Sequence, residues 1–278
     1  AIQNDYALTD LDALSKLTTV GGEVRLHGTV IESLEGLSNL TSMDGHLTIR
    51  SNTALLNFEG LSGLSSVTGD VQISSNDALV NLEGLSGISS VTGNMSISYN
   101  DALTNLDGLS NLSSIDGELT IKANDTLTDI NGLSQLTIVG SGVEIEENPL
   151  LDNLSGLANL MSIDGWLYIQ NNEALASLDG LASLTSIGGS FLITSNQALT
   201  SIDALGSLTV VDGRLGIADN PMLTSLHGLS NLSTLGVIWV AGSPPGVTIT
   251  NNNRLGDFLG LMSLAFIPGD LTIQSNDS

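Results

Sequence analysis

The chain has 278 residues and a formal net charge of -24, from 30 acidic and 6 basic side chains. This balance excludes a nucleic-acid-binding protein, because neutralising phosphates requires Lys and Arg on the contact face. With 13% charged and 41% hydrophobic residues the chain is expected to fold, while the lack of cysteine excludes disulfides. No apolar run reaches the roughly 20 residues of a membrane span, so we expect no direct membrane insertion.

A 24-residue repeat dominates the sequence. The phrases that begin at Ala54, Ala78 and Ala102 start 24 residues apart, and this register continues as far as Met222. Such a unit cannot bury its apolar side alone, so consecutive units must stack on one another. The sequence therefore predicts a solenoid of about eleven coils.

The predicted solenoid forms a single domain over residues 1–278. It begins with an atypical leading coil, residues 1–29, and continues as ten regular repeats over residues 30–277. One interval between repeats is 32 instead of 24 residues long, which we assign to an insertion at residues 237–245. Insertions on a rigid scaffold commonly carry recognition.

Seven positions of every regular repeat are apolar. In the unit that begins at Ala102 they are Leu103, Leu106, Leu109, Leu112, Ile115, Leu119 and Ile121. The alternation of Leu119 and Ile121 predicts a half-buried strand, and the spacings of three elsewhere predict corners and short turns. Glycines at two further positions, such as Gly108 and Gly117, predict turns with positive φ or close backbone approach. We therefore expect a mainly β fold.

An asparagine recurs at one position of every regular repeat. A stacked asparagine column can bond its amides to backbone groups and to the next asparagine. We predict a structural ladder, and ligand binding along it is the alternative. The column consists of Asn52, Asn76, Asn100, Asn124, Asn148, Asn172, Asn196, Asn220, Asn252 and Asn276.

The repeat resembles a known family. The pattern Leu-x-Gly-Leu-x-x-Leu-x-x-Ile-x-Gly-x-Leu-x-Ile-x-x-Asn, from Leu106 to Asn124, looks like that of the receptor L-domain family. The resemblance implies a right-handed, leucine-rich-repeat-like β-solenoid, usually extracellular, that recognises a partner without catalysis. The chain departs from animal members of the family in lacking cysteine and in its more regular repeats, which fits a microbial surface protein.

Residues for catalysis are sparse. The three histidines, His27, His46 and His227, fall at unrelated positions of the repeat. Because coils stack at roughly 4.8 Å, His46 and His227 should lie about 40 Å apart, too far to share a metal or a catalytic triad. The sequence has no G-x-S-x-G, no H-E-x-x-H and no glycine-rich phosphate loop before a helix. We expect no enzymatic activity and no cofactor.

Four successive coils carry a carboxylate at one position, Glu35, Glu59, Glu83 and Asp107. Stacked about 5 Å apart, these groups repel one another unless they are screened or bridged by cations. We expect a solvated acidic edge. Calcium, which prefers hard oxygen ligands at turns, is the alternative.

The outward face of the predicted strands varies from coil to coil. Aromatic residues make up only 3% of the chain, so the pair Trp166 and Tyr168 stands out. Aromatic side chains beside an acidic rim predict a site for a protein or a carbohydrate. The alternative is that Trp239, in the insertion, folds back over Leu192 and Gly216 and covers apolar surface. The candidate partner-binding residues are Trp166, Tyr168, Glu144, Glu146, Leu192 and Trp239.

These observations predict an extracellular or cell-surface module for binding or adhesion. The first alternative is a structural subunit that polymerises end to end into a filament, since residues 269–276 read as an ordinary repeat without an atypical capping unit. The second alternative is ice binding through a Ser/Thr column such as Ser113-Ser114, which is broken by Met161 and Val210.

Overall fold

A long parallel sheet forms one side of the solenoid. The computed structural model describes residues 1–236 and 246–276, and in these residues the sheet has twelve strands in chain order. The strands are Ile2–Gln3, Val24–His27, Leu47–Arg50, Val71–Ser74, Met95–Ser98, Leu119–Lys122, Val143–Glu146, Leu167–Gln170, Phe191–Thr194, Leu215–Ala218, Val247–Thr250 and Leu271–Gln274. The mainly β solenoid expected from the repeat is confirmed.

The repeat fixes the register of this long sheet. Ile121 lies opposite Ile145, one repeat of 24 residues further along the chain. Ile217 lies opposite Ile249, although this interval is 32 residues long. The longer interval therefore leaves the strand register unbroken. The insertion predicted at residues 237–245 lies outside the described residues and stays a prediction.

Short strands and turns form the other sides of each coil. A seven-stranded parallel sheet contains Ser90–Val91, Ser114–Ile115, Ile138–Val139, Ser162–Ile163, Ser186–Ile187, Val210–Val211 and Thr234–Leu235, and a separate pair contains Thr19–Val20 and Ser42–Met43. Short 3-10 helices follow the apolar spacings of three. They are Asp12–Leu14, Glu35–Leu37, Glu59–Leu61, Asp107–Leu109, Asn131–Leu133, Ser155–Leu157, Asp179–Leu181, Asp203–Ser207, His227–Leu229 and Leu259–Leu261. No helix in these described ranges could cross a bilayer.

The core is one continuous apolar column. The side chains of Leu112, Ile115, Leu119 and Ile121 are fully buried, and so are their equivalents in the neighbouring coils. Each coil covers the next, so burial does not depend on a second layer. This arrangement confirms the assignment of inner positions.

The repeated glycines serve close approach between coils. A β-carbon at Gly108 would lie 1.9 Å from the carbonyl oxygen of Leu82, so only glycine lets the two turns stack. Of the two expectations for these glycines, close backbone approach is the one that the structure confirms: among the glycines that it describes, only Gly28 and Gly84 have positive φ.

Positive φ occurs instead at the residue before each ladder asparagine, as at Ala123 (φ 51°). The amide of Asn124 donates to the carbonyl of Lys122 across this residue at 3.2 Å. The side chain of the asparagine thus closes the turn that the left-handed residue opens.

The asparagine column is a structural ladder. In a central coil, Asn124 Nδ2 donates to the carbonyl of Ile97 at 3.1 Å and to Asn148 Oδ1 at 3.2 Å. The backbone N–H of Asn124 also donates to Asn148 Oδ1, at 3.2 Å. Both residues are fully buried, so these bonds satisfy turn groups that the apolar core cannot. The structural interpretation is confirmed.

Candidate binding face of the long sheet

Five of the six candidate partner-binding residues come together on three adjacent strands. Glu144 lies directly opposite Tyr168, and Tyr168 lies opposite Leu192. Glu146 and Trp166 are on the same face, because side chains two residues apart along a strand point the same way. We call this group, Glu144, Glu146, Trp166, Tyr168 and Leu192, the aromatic–acidic patch. The sixth candidate, Trp239, lies outside the described residues.

The two aromatic rings of the patch form a contact. Their centroids are 6.0 Å apart and the ring planes are tilted by 31°. The Trp166 ring extends over the preceding strand, where a β-carbon on Gly142 would lie 2.2 Å from its Cε2 atom. Both side chains are half-buried, so they are less exposed than a free-standing pair on a sheet would be. The rings therefore form a platform fixed against the sheet.

Leu192 extends the platform in the opposite direction. A β-carbon on Gly216 would lie 2.6 Å from Leu192 Cδ2, so the leucine side chain covers this glycine. The alternative in which Trp239 folds over Leu192 and Gly216 stays a prediction, because Trp239 lies outside the described residues. Gly142, just before the strand Val143–Glu146, leaves room for the Trp166 ring, and Gly216 on the strand Leu215–Ala218 leaves room for Leu192.

A carboxyl pair and a lysine border the rings. Lys122 Nζ lies 2.5 Å from Glu146 Oε2 and 3.8 Å from Glu144 Oε1. Asn171 Nδ2 also donates to Glu146 Oε1, at 3.5 Å. Lys122 was not expected at the site from the sequence. Its position one repeat before Glu146 was the available signal, since equivalent positions are neighbours in the sheet.

The two carboxyl groups differ in protonation. Burial, followed by the hydrogen bond and the negative charge of Glu146, raises the pKa of Glu144 to about 7. Burial alone would raise the pKa of Glu146 as well. Its hydrogen bonds with Glu144 and Lys122 outweigh burial and hold the pKa of Glu146 below its usual value. The pair therefore shares one proton in mildly acidic solution, with Glu144 as the protonated partner.

The aromatic and acidic parts of the patch are electrostatically linked. Burial and then the nearby Glu144 raise the pKa of the Tyr168 hydroxyl above its usual value. The hydrogen bond to Glu146 raises the pKa of Lys122, although burial opposes this shift. At neutral pH the patch thus offers a neutral phenol, a carboxylate and an ammonium group within one area.

The acidic edge lies elsewhere on the coil. Glu35, Glu59, Glu83 and Asp107 are exposed, and all but Glu83 begin a 3-10 helix. Among the described residues, no group of three or more His, Cys, Asp or Glu side chains is placed to hold a metal ion. Calcium binding by these four residues stays a prediction.

The hydroxyl column bonds to the backbone of neighbouring coils. Ser113 Oγ donates to the carbonyl of Ser89 at 2.9 Å, and Thr137 Oγ1 donates to the carbonyl of Ser113 at 3.2 Å. Thr185 makes the equivalent bond to Met161 at 3.0 Å. These hydroxyl groups already donate to carbonyl groups of the protein, which weakens the interpretation of the column as an ice-binding surface.

Comparisons with known proteins support the family resemblance. Residues 65–151 match the receptor L domain model, which confirms the resemblance over that part of the chain. No curated protein matches the sequence.

Two solved structures from Listeria monocytogenes are similar to this chain. An internalin, InlF, is 19% identical with a TM-score of 0.42, over 97% of this chain and 84% of the other. The functional domain of InlJ, described as including a cysteine ladder, is 14% identical with a TM-score of 0.33. That match covers 92% of this chain and 63% of the InlJ chain, so the chain spans less than two thirds of that relative.

Proposed function

We propose that this chain is a non-enzymatic binding or adhesion module of the extracellular space or the cell surface, recognising a protein or a glycan through the aromatic–acidic patch. The observation that carries the proposal is the ring contact between Trp166 and Tyr168 beside the pair of carboxyl groups. The match to the receptor L domain supports the extracellular placement.

The geometry of the rings suits an anchor for a partner. Tryptophan and tyrosine are the residue types most often found at energetic hot spots of interfaces. Tyr168 lies on the strand Leu167–Gln170 and Trp166 directly precedes this strand, and both side chains are half-buried. Because the sheet holds the rings in place, little conformational entropy is lost when a partner packs on them.

The net charge of the whole chain, -24, favours a basic partner. Within the patch, the ammonium group of Lys122 pairs with Glu146, so the attraction comes from the surrounding acidic surface. Such a field attracts a protein surface with exposed Lys or Arg and speeds its association. A protein partner of this kind is therefore our first choice. A glycan, whose hydroxyl groups would donate to the carboxylates, is the second.

A binding screen tests the proposal. The immobilised chain is exposed to an array of glycans and to a panel of basic surface proteins, and each hit is measured again with Trp166→Ala. We expect binding at least about tenfold weaker for the variant, as for a hot-spot residue. The control is Met161→Ala, which shortens an exposed apolar side chain outside the patch.

Three outcomes are distinguishable in this screen. Loss of binding in Trp166→Ala but not in Met161→Ala supports the patch, and the class of hit identifies the partner as protein or glycan. Undiminished binding in Trp166→Ala moves the site elsewhere and overturns the proposal. Equal losses in both variants overturn it as well.

End-to-end self-association is a second candidate. In the last described strand, Leu271 is 55% and Ile273 45% exposed, whereas the equivalent Leu119 and Ile121 are fully buried. Either a following coil of the same chain or a second copy stacked on this face would bury them, and unpaired strand edges recruit strands. Light scattering across a salt and calcium series tests this, since screening of the net charge should promote association. A monomer under every condition contradicts it.

A further inference from the structure

A cavity opens on the first strands of the long sheet. Its volume is about 350 Å³, and it lies at the opposite end of the sheet from the last described strand. Six side chains line it: Gln3, Arg25, His27, Thr48, Arg50 and Gln72.

The sheet register assembles this cavity from distant parts of the sequence. One row runs from Gln3 through His27 to Arg50 on adjacent strands. A parallel row, two residues earlier on each strand, includes Arg25 and its neighbour Thr48. The strand Ile2–Gln3 was not expected from the repeat, so the sequence analysis gave no reason to group these residues.

The lining is unusual for so acidic a chain. All six side chains can donate a hydrogen bond and none is acidic, although the chain has 30 acidic residues and only 6 basic ones. Two of those six basic residues, Arg25 and Arg50, meet here with His27. This is therefore a local concentration of hydrogen-bond donors within a negative molecule, with Arg50 as the positive charge that has no carboxylate partner among the described residues.

The two arginines play different parts. Arg25 Nε and Nη2 bind Glu23 Oε1 at 2.7 and 2.6 Å, which fixes the orientation of its guanidinium. Arg50 is exposed and has no carboxylate within ion-pair distance among the described residues. One guanidinium is thus held in place while the other is available to a ligand.

His27 lines the cavity, and its Nδ1 atom is buried without a hydrogen-bond partner in the described part of the chain. A buried nitrogen without a partner lowers stability and is uncommon in folded proteins.

We propose that this cavity binds the oxyanion group, carboxylate or sulfate, of a small polar molecule such as a sugar acid. A guanidinium matches an oxyanion with two parallel hydrogen bonds. The amides of Gln3 and Gln72 suit the hydroxyl groups of the same molecule, whereas the hydroxyl of Thr48 already donates to Glu23 Oε1 at 3.3 Å. Long polyanions are disfavoured, because the net charge of -24 repels them.

The cavity is separate from the aromatic–acidic patch. Three strand steps, from Val71–Ser74 to Val143–Glu146, lie between their nearest members, or roughly 14 Å at about 4.8 Å a step. Neither site contains a residue of the other. The anion site consequently does not depend on the function proposed for the patch.

Titration of the isotope-labelled chain by nuclear magnetic resonance tests this site. The probes are glucuronate, inorganic sulfate and, as the neutral control, glucose. We expect glucuronate, or glucuronate and sulfate together, to shift the amide signals of Val24–His27 and Leu47–Arg50, and glucose to leave them unchanged. Response to glucuronate alone identifies a sugar acid, and equal response to sulfate identifies the oxyanion as the recognised group.

Matched variants separate the site from general charge effects. Arg50→Gln should weaken binding about tenfold or more, as expected for the loss of a charged hydrogen bond. Arg50→Lys should retain part of the binding, and Arg254→Gln, an equal charge change at an exposed position far along the chain, should retain all of it. Unchanged signals of Leu167–Gln170 show that each variant is folded. No shift with either anion, or equal binding by Arg50→Gln, overturns the proposal.

Discussion

The indole ring of Trp166 lies directly over Gly142 of the preceding coil, so closely that a β-carbon on the glycine would stand 2.2 Å from Trp166 Cε2. The residue equivalent to Gly142 one coil earlier is Glu118. A glutamate side chain at position 142 would occupy the space that the indole ring fills. The position of the ring therefore depends on the absence of a side chain at residue 142.

Gly142→Ala should displace the indole ring without unfolding the chain. The added methyl group meets the side chain of Trp166, which can rotate away, so the ring contact with Tyr168 should be lost. We expect a changed near-ultraviolet circular dichroism spectrum and weaker binding at the patch. Gly206→Ala is the control, since nothing lies within 4 Å of its added β-carbon. An unchanged spectrum for Gly142→Ala would contradict the described ring position.

The stability of the chain should fall as pH rises through the titration of Glu144. The pKa of this group rises from 4.5 to about 7 in the fold, so the folded chain binds a proton there that the unfolded chain releases. The free energy of unfolding then decreases as pH rises between these two values. The lowered pKa of Glu146 acts at more acidic pH and leaves this window unaffected.

Glu144→Gln should reduce that decrease, because glutamine stays neutral in both states. Urea unfolding at about pH 5 and about pH 8 measures the change for the parent chain and the variant. Glu59→Gln, which removes an exposed carboxyl group outside the patch, is the matched control. If both variants lose the same stability between the two pH values, the shift is not located at Glu144.

Removal of one ladder asparagine should be far more damaging than removal of an exposed one. Asn124→Ala loses the bonds of its amide to Ile97, Lys122 and Asn148 and leaves buried groups unpaired. We expect a loss of about 3 kcal/mol or more in the free energy of unfolding, at about 1 kcal/mol per bond. Asn111→Ala, which loses one exposed bond to the carbonyl of Ser86, should lose about 1 kcal/mol or less. Comparable losses would contradict the structural role of the ladder.

Truncation of an inner leucine should destabilise the central coils. Leu112→Ala removes a fully buried side chain, which should lower the free energy of unfolding by about 2–5 kcal/mol through transfer and cavity effects. Ser113→Ala, its exposed neighbour, loses only a hydroxyl bond to the Ser89 carbonyl and should change stability by about 1 kcal/mol or less. Denaturant melts of the two variants provide the comparison. Equal effects would overturn the assignment of inner and outer positions.

The repeat made the core and the face predictable, because each coil has the same environment as its neighbours. The positions of Leu112, Ile121 and Asn124 follow from periodicity alone, and so does the adjacency of Glu144 and Tyr168. Structural features that do not follow the repeat could not be predicted from it.

Two features could not be predicted from the sequence, for physical reasons. The left-handed residue before each asparagine can be Tyr99 or Ala123, since the asparagine amide rather than the residue type stabilises the turn. The cavity near Arg50 needs the strand Ile2–Gln3, which is two residues long and belongs to no repeat. Side-chain directions such as that of Trp166 over Gly142 also depend on space that only the assembled sheet defines.

The parallel register has a mechanical consequence. The hydrogen bonds of the long sheet run from coil to coil, as do those of the asparagine column, so tension applied between the two ends of the solenoid pulls along them. Under such a load we expect coils to peel away from an end one after another, instead of the whole chain yielding at once. Each coil of 24 residues would release roughly 80 Å of extended chain, so the molecule would act as a stepwise extensible tether.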